Sequence, residues 1–140
     1  MTCDVLIDTN VLVYAYDAAA GEKQRQAIEI LDKWVRAQRA AISAQVLSEF
    51  IVVAGSKISH PLEPDELLAS VDRLCCSFTV LPITPFIPRE ALRGMLTYQL
   101  SYWDAQIWAA ARLNQVPVVL TEDLPGQQYI EGVRYKNPFL

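Results

Sequence analysis

Short apolar runs that read as strands alternate along this chain with longer stretches of helical periodicity, and few folds accommodate that order. CDVLI (residues 3–7) reads as a strand buried on both faces. Ala40 to Ser43, FTVLPI (78–83) and VPVVLT (116–121) follow as further strands, with Gly132 to Tyr135 as a short edge strand. Between them, Glu22 to about Gln38 carries Ala27, Leu31, Trp34 and Val35 at three- and four-residue steps. A second helix, from Ser43 or Ala44 through Ala54, is expected to close at Gly55, a residue suited to the position just past a helix. Pro64 suits a first helical position, with Asp65 and Glu66 behind it and Leu67, Leu68, Val71, Leu74 and Cys75 as the apolar face. PFIPRE opens a helix to about Gln99, and Ser101 caps another through Asn114. Strand–helix alternation predicts an α/β sandwich around a mostly parallel sheet. Ligands of such sheets sit beyond the carboxyl ends of the strands, where the strand order reverses.

The length, 140 residues, fits a single domain over 1–140. An apolar fraction of 52% against 20% charged residues marks a globular chain that needs no disulfide or structural metal to fold. No run of about 18 apolar residues is present, so no membrane span is expected. MTCDVLIDTN lacks a basic segment ahead of an apolar core, so a cytoplasmic protein is expected. Cys3, Cys75 and Cys76 lack metal-ligand spacing and read as small, mostly buried residues in a reducing compartment. With a net charge of −4 and no basic tail, the chain is a poor candidate for a passive nucleic-acid binder but not for an enzyme whose bound cations meet phosphates.

Four acids stand out. Asp8 falls where the first strand ends, and Asp123 two residues beyond the strand VPVVLT. Glu49 lies in the apolar helix AQVLSEFIVVA, and Asp104 in the first turn of SYWDAQIWAAA. Each also suits a structural duty. Asp8, Thr9 and Asn10 can cap a helix beginning at Val11, Ser101 to Asp104 fits a capping box, and TEDLPG is an ordinary turn. Glu49 is the hardest to explain this way, because a glutamate in so apolar a helix needs a partner. Local cations do not supply one. No Lys or Arg lies within ten residues of Asp8, from residue 40 to 56, or from 94 to 111. Two carboxylates about 5 Å apart repel by roughly 3 kcal/mol at an effective dielectric near 20. A divalent metal offsets that repulsion, and hard oxygen ligands without His or Cys favour Mg²⁺ or Mn²⁺. Thr9, Asn10 and Thr121 are placed to orient the carboxylates or metal-bound waters.

LIDTNVLVYAYD with its leading Leu6, ISAQVLSEF (42–50), LSYWDAQIWAAA (100–111) and VLTEDLPGQQYIEGVRYKNPF (119–139) together resemble the PIN domain, and within it the VapC-type endoribonuclease toxins of toxin–antitoxin systems. The resemblance spans nearly the whole chain. It implies a three-layer α/β/α sandwich with a central sheet of four to five strands, the first of them central. It places the family's acidic set on Asp8, Glu49, Asp104 and Asp123, with Glu122 as a possible fifth acid and Thr9 and Thr121 as supporting hydroxyls. It further implies a homodimer and a cognate antitoxin whose tail brings an Arg or Lys among the acids.

The expected chemistry is hydrolysis of an RNA phosphodiester assisted by Mg²⁺ or Mn²⁺. His60, the single histidine, sits in a proline-rich loop and is expected to be solvated. No G-x-S-x-G, P-loop or G-x-G-x-x-G occurs. Arg25, Arg36, Arg39, Arg89, Arg93 and Arg112 are candidates for phosphate contacts or plain solvated faces. Tyr98, Tyr102 and Trp103 suit base stacking, a dimer interface or core packing. A non-enzymatic Mg²⁺-binding receiver-like module, or a PIN fold kept only for binding, is the alternative. The receiver reading lacks an Asp at the end of FTVLPI.

Overall fold

A computed structural model describes residues 2–140. Strands β1 (Val5–Ile7), β2 (Ala40–Ser43), β3 (Thr79–Leu81), β4 (Val118–Leu120), β5 (Tyr129–Ile130) and β6 (Val133–Lys136) form one sheet in the order β3-β2-β1-β4-β6-β5. All pairings are parallel except β5 with β6. Six helices flank it: α1 (Thr9–Tyr16), α2 (Glu22–Ala37), α3 (Ala44–Ser56), α4 (Pro64–Ser77), α5 (Phe86–Tyr98) and α6 (Tyr102–Leu113). The expected α/β architecture is present, with six strands rather than four to five.

The alternation of side chains across the sheet builds two apolar layers. Val5, Ile7, Ala40, Ile42 and Leu120 face Val11, Leu12, Val46, Phe50 and Leu74 of α1, α3 and α4. Leu6, Ala41 and Val119 face Ile87 and Ala91 of α5 and Trp108 and Ala109 of α6. Every residue of β1 is buried, as its continuous apolar run requires. The chain places β2 and β3 on one side of β1 and returns to put β4 on the other. The strand order therefore reverses between β1 and β4, the position where α/β sheets bind ligands.

Several local expectations change. Gly55 does not end its helix, because α3 continues through Ser56. A Cβ there would lie 3.0 Å from Leu67 Cδ2, so glycine serves the close approach of α3 to α4. Cys75 and Cys76 are exposed, and only Cys3 is buried. The segment expected as an edge strand is internal, since β6 lies between β4 and β5. The extra edge strand exists because Glu131 and Gly132, at φ +47° and +88°, make a two-residue hairpin turn that folds β5 back on β6. The strand ends and helix caps otherwise follow their residues. Pro64 opens α4, where Glu66 accepts the Glu63 N–H at 3.1 Å, and Ser101 caps α6.

Trp108 anchors the second layer. It is fully buried, and its Nε1 donates to the Ile130 carbonyl at 3.1 Å. Its ring lies against Gly94 of α5 so closely that a Cβ on Gly94 would sit 2.7 Å from Trp108 Cζ3. Gly94→Ala is therefore expected to overpack the α5–α6 contact at a cost of about 1–3 kcal/mol. Thermal unfolding measures this; a midpoint lowered by roughly 3–10 °C is expected.

Candidate active site

The site is set by the pairing of β1 with β4. Ile7 lies opposite Leu120, so the next residues, Asp8 and Thr121, emerge side by side. The Asp8 N–H donates to the Leu120 carbonyl at 2.9 Å. Asp8 is also the N-cap of α1, and its Oδ1 accepts the Thr9 N–H at 2.7 Å. Capping and site geometry are thus one arrangement. Helix α1 starts at Thr9, two residues earlier than a cap at Asn10 would allow.

Asp8, Glu49, Asp104 and Asp123 line one cleft of about 360 Å³, with Thr9, Asn10, Tyr14 and Trp103 in its walls. Asp8 and Glu49 are half-buried, and Asp104 and Asp123 are exposed at the rim. Neutral donors hold three of the carboxylates. Glu49 accepts from Thr9 Oγ1 at 2.9 Å and from Gln45 Nε2 at 2.7 Å. Thr121 Oγ1 accepts from Asn10 Nδ2 at 2.9 Å and from the Asp123 N–H at 3.0 Å. Its hydroxyl also helps hold the Asp8 carboxyl down. Asn10 Nδ2 also reaches Asp123 Oδ2 at 3.5 Å, and its Oδ1 accepts the Glu122 N–H at 3.2 Å.

No described Lys, Arg or His pairs with any of the four acids. The electrostatic consequence falls on Asp8. Desolvation pushes its carboxyl up to about 6, helped by the Glu49 and Asp104 charges and opposed by the Thr9 and Thr121 hydrogen bonds. Beneath the acids lies the Tyr135 hydroxyl, buried and without a hydrogen-bond partner among the described residues. Burial first, then the Asp104 and Asp8 charges, raises its pKa, so the phenol keeps its proton.

Glu122 differs from the others. It is ion-paired with Lys23 of α2 and accepts from Tyr14 at 2.5 Å. It is a structural tie between α1, α2 and the loop after β4. The arginines that are candidates for phosphate contacts or solvated faces are engaged elsewhere. Arg25, Arg36, Arg39, Arg93 and Arg112 pair with acids of their own surfaces. None of them, nor Arg89, lines the acid cleft. His60 is exposed, as expected. Of the aromatic trio, Trp103 lines the cleft, while Tyr98 packs edge-on to Trp108 and bonds Glu131. Gln45, Tyr14 and Lys23 escaped sequence reading. Gln45 alone left a trace, as a polar residue one helical turn before Glu49.

The PIN domain profile matches residues 5–124. The chain belongs to the PIN domain family. Solved structures agree with the assignment. A toxin–antitoxin complex from Klebsiella pneumoniae aligns at 25% identity and TM-score 0.71, covering 96% of this chain and 97% of that one. The DNA-bound VapBC complex of Salmonella typhimurium aligns at 22% identity and TM-score 0.70, covering 99% of each. Mycobacterium tuberculosis VapC20, a sarcin–ricin-loop-cleaving toxin, aligns at 19% identity and TM-score 0.61, covering 93% of this chain and 98% of that one. The last two share the fold with this PIN domain. Among curated proteins, none matches the sequence.

The donor set fits a hard divalent cation. Among the described residues the cleft offers carboxylate oxygens, no thiolate or imidazole, and no cation to balance them. The carboxylates nevertheless stand apart: among the described residues, no three ligand-type side chains gather at metal-binding spacing. Glu49 and Asp123 are each turned toward an amide or hydroxyl of the chain.

The raised Asp8 carboxyl predicts a pH-dependent cost. Its folded pKa, about 6, exceeds the unfolded value of 3.8, so ionised Asp8 destabilises the fold above about pH 6 and not below about pH 4. In chelator, Asp8→Asn is expected to raise the unfolding midpoint at pH 7.5 by roughly 3–6 °C and to change it little at pH 4. Melting curves of both proteins at the two pH values check this.

Proposed function

We propose that this PIN domain, acting as one unit over residues 1–140, is the toxin of a toxin–antitoxin pair and an endoribonuclease dependent on Mg²⁺ or Mn²⁺. One observation carries the reading: four carboxylates line a single cleft at the strand-order reversal, and no described cation of the chain neutralises them. The toxin–antitoxin complexes and the RNA-cleaving toxin among the similar structures favour it.

Asp8, Glu49, Asp104 and Asp123 would hold the metal. When bound, it lowers the pKa of a water and offsets charge on the phosphate and the leaving 3′ oxygen. The remaining work falls to the chain. Thr121 and the Thr9 N–H fix the Asp8 oxygens, and Thr9 Oγ1 with Gln45 fixes Glu49. Asn10 links Asp123 to the β4 end. Asp104 takes no hydrogen bond on its carboxylate from the described residues, so it is free to orient the attacking water, with Glu49 of the same cleft as a second acceptor. An antitoxin that places an Arg or Lys among these acids would supply the same counter-charge and block the site. A homodimer in the cytoplasm completes the reading.

The test is cleavage of structured RNAs by the purified protein with Mg²⁺ or Mn²⁺, against excess chelator and against Asp104→Asn. Loss of at least about 100-fold in both controls is expected. Equal cleavage in all three would trace the activity to a contaminant. Metal binding without cleavage of any RNA would leave a PIN fold used for binding.

A further inference from the structure

Trp103 stands immediately before Asp104, and the residue is 62% exposed. It forms a wall common to two depressions. One is the acid cleft. The other is a groove of about 600 Å³ between α3 and α6, lined by Glu49, Val52, Val53, Lys57, Ile83 and Trp103 among others. Val52 and Ile83 are also well exposed, at 53% and 44%. The groove is thus a mainly apolar trough leading away from the acids.

Its fixtures are polar and specific. Gln45 is only 4% exposed, yet it lies in the groove wall. Its Nε2 donates both to the Trp103 carbonyl at 3.1 Å and to Glu49 Oε1 at 2.7 Å. The tryptophan backbone is thereby locked to one of the site's carboxylates across two helices. Gln45 Oε1 has no hydrogen-bond partner among the described residues. Tyr102 braces the Trp103 ring edge-on, with centroids 5.0 Å apart. Lys57, eight residues or about 12 Å along α3 from Glu49, lines the groove beyond and forms no ion pair with a described residue.

We propose that Trp103 is the platform on which an unpaired RNA base beside the scissile phosphate stacks, the strand then following the α3–α6 groove toward Lys57. This rests on the nuclease reading and adds the grip that the ion-paired arginines do not provide. An indole face accepts any base, and a single lysine meets a backbone phosphate without reading sequence. Gln45 is a positioning residue that keeps the platform in register with Glu49. The observations favour a nucleic-acid strand over a protein because the platform adjoins the acids where a phosphodiester must lie and the groove has a free cation at its far side.

The experiment uses the full chain and a fluorescein-labelled, unstructured RNA 12-mer. Anisotropy with Ca²⁺ gives Kd, and cleavage with Mg²⁺ gives KM and kcat, for wild type, Trp103→Ala, Trp103→Phe, Gln45→Ala and Asp104→Asn. Trp103→Ala is expected to weaken binding and raise KM by roughly 5- to 100-fold with little change in kcat. Trp103→Phe should recover most of the affinity, and Gln45→Ala should give an intermediate loss. Melting curves matched to wild type confirm that Trp103→Ala folds. Trp103→Ala binding RNA as wild type does, Trp103→Phe binding as weakly as Trp103→Ala, or wild type giving no saturable binding overturns the proposal. So does a change of oligomeric mass in Trp103→Ala with Kd unaltered, which would make the ring a protein contact. The two readings fail separately. RNA bound through Trp103 but cleaved by no variant sinks the nuclease and leaves the platform. Equal cleavage by wild type and Trp103→Ala, with Asp104→Asn dead, does the reverse.

Discussion

The parallel pairing of β1 with β4 is the contact on which the site depends. It sets Asp8 beside Thr121 through the Asp8 N–H to Leu120 carbonyl bond, and it fixes where α1 and the Glu122–Asp123 loop begin. Both strands are buried between helices, so a one-residue slip would turn Leu6, Ile7 and Val119 toward the wrong layers. The core therefore enforces the register that the acids need. Trp108 and Gly94 do the same for α6, which carries Asp104.

The electrostatics of the cleft are left unbalanced by the described residues. Elsewhere on the surface, acids and bases find each other: Asp4 with Arg39, and Glu90 and Glu131 with Arg93 and Arg112. Glu122, one residue from Asp123, is neutralised by Lys23. Glu131 is held down to about 2 by Arg93 and Tyr98. Asp8 moves the other way because burial desolvates it and the nearby charges of Glu49 and Asp104 are negative. The four acids of the cleft pair with no described Lys or Arg, which leaves room for a counter-charge from outside. A metal ion and a partner's cation are two ways to supply one.

Much of this was legible in the residues because burial and polarity conflict locally. A glutamate inside AQVLSEFIVVA and an aspartate at the end of CDVLI are visible without a structure, and α/β topology brings such strand ends to one side. Ser101 and Pro64 announced their helices by well-understood cap chemistry. What depended on distant partners was not legible. The pairing of Lys23 with Glu122 spans a hundred residues of chain and removes Glu122 from the free acids. The arginines could not be assigned to ion pairs without knowing which helix faces meet. Gly55 read as a helix end because its close approach to Leu67 has no local signature. Cys75 and Cys76 read as buried because cysteine usually is, but they lie on the outer face of α4.

The central claim is that these carboxylates converge on a divalent cation at the end of β1. Anomalous diffraction from a crystal of this protein soaked in Mn²⁺ tests it directly. The account predicts a manganese peak in the cleft, bonded to Asp8 and at least one of Glu49, Asp104 and Asp123, and absent from the same soak of Asp8→Asn. A peak elsewhere on the molecule, or none in the cleft, would contradict it.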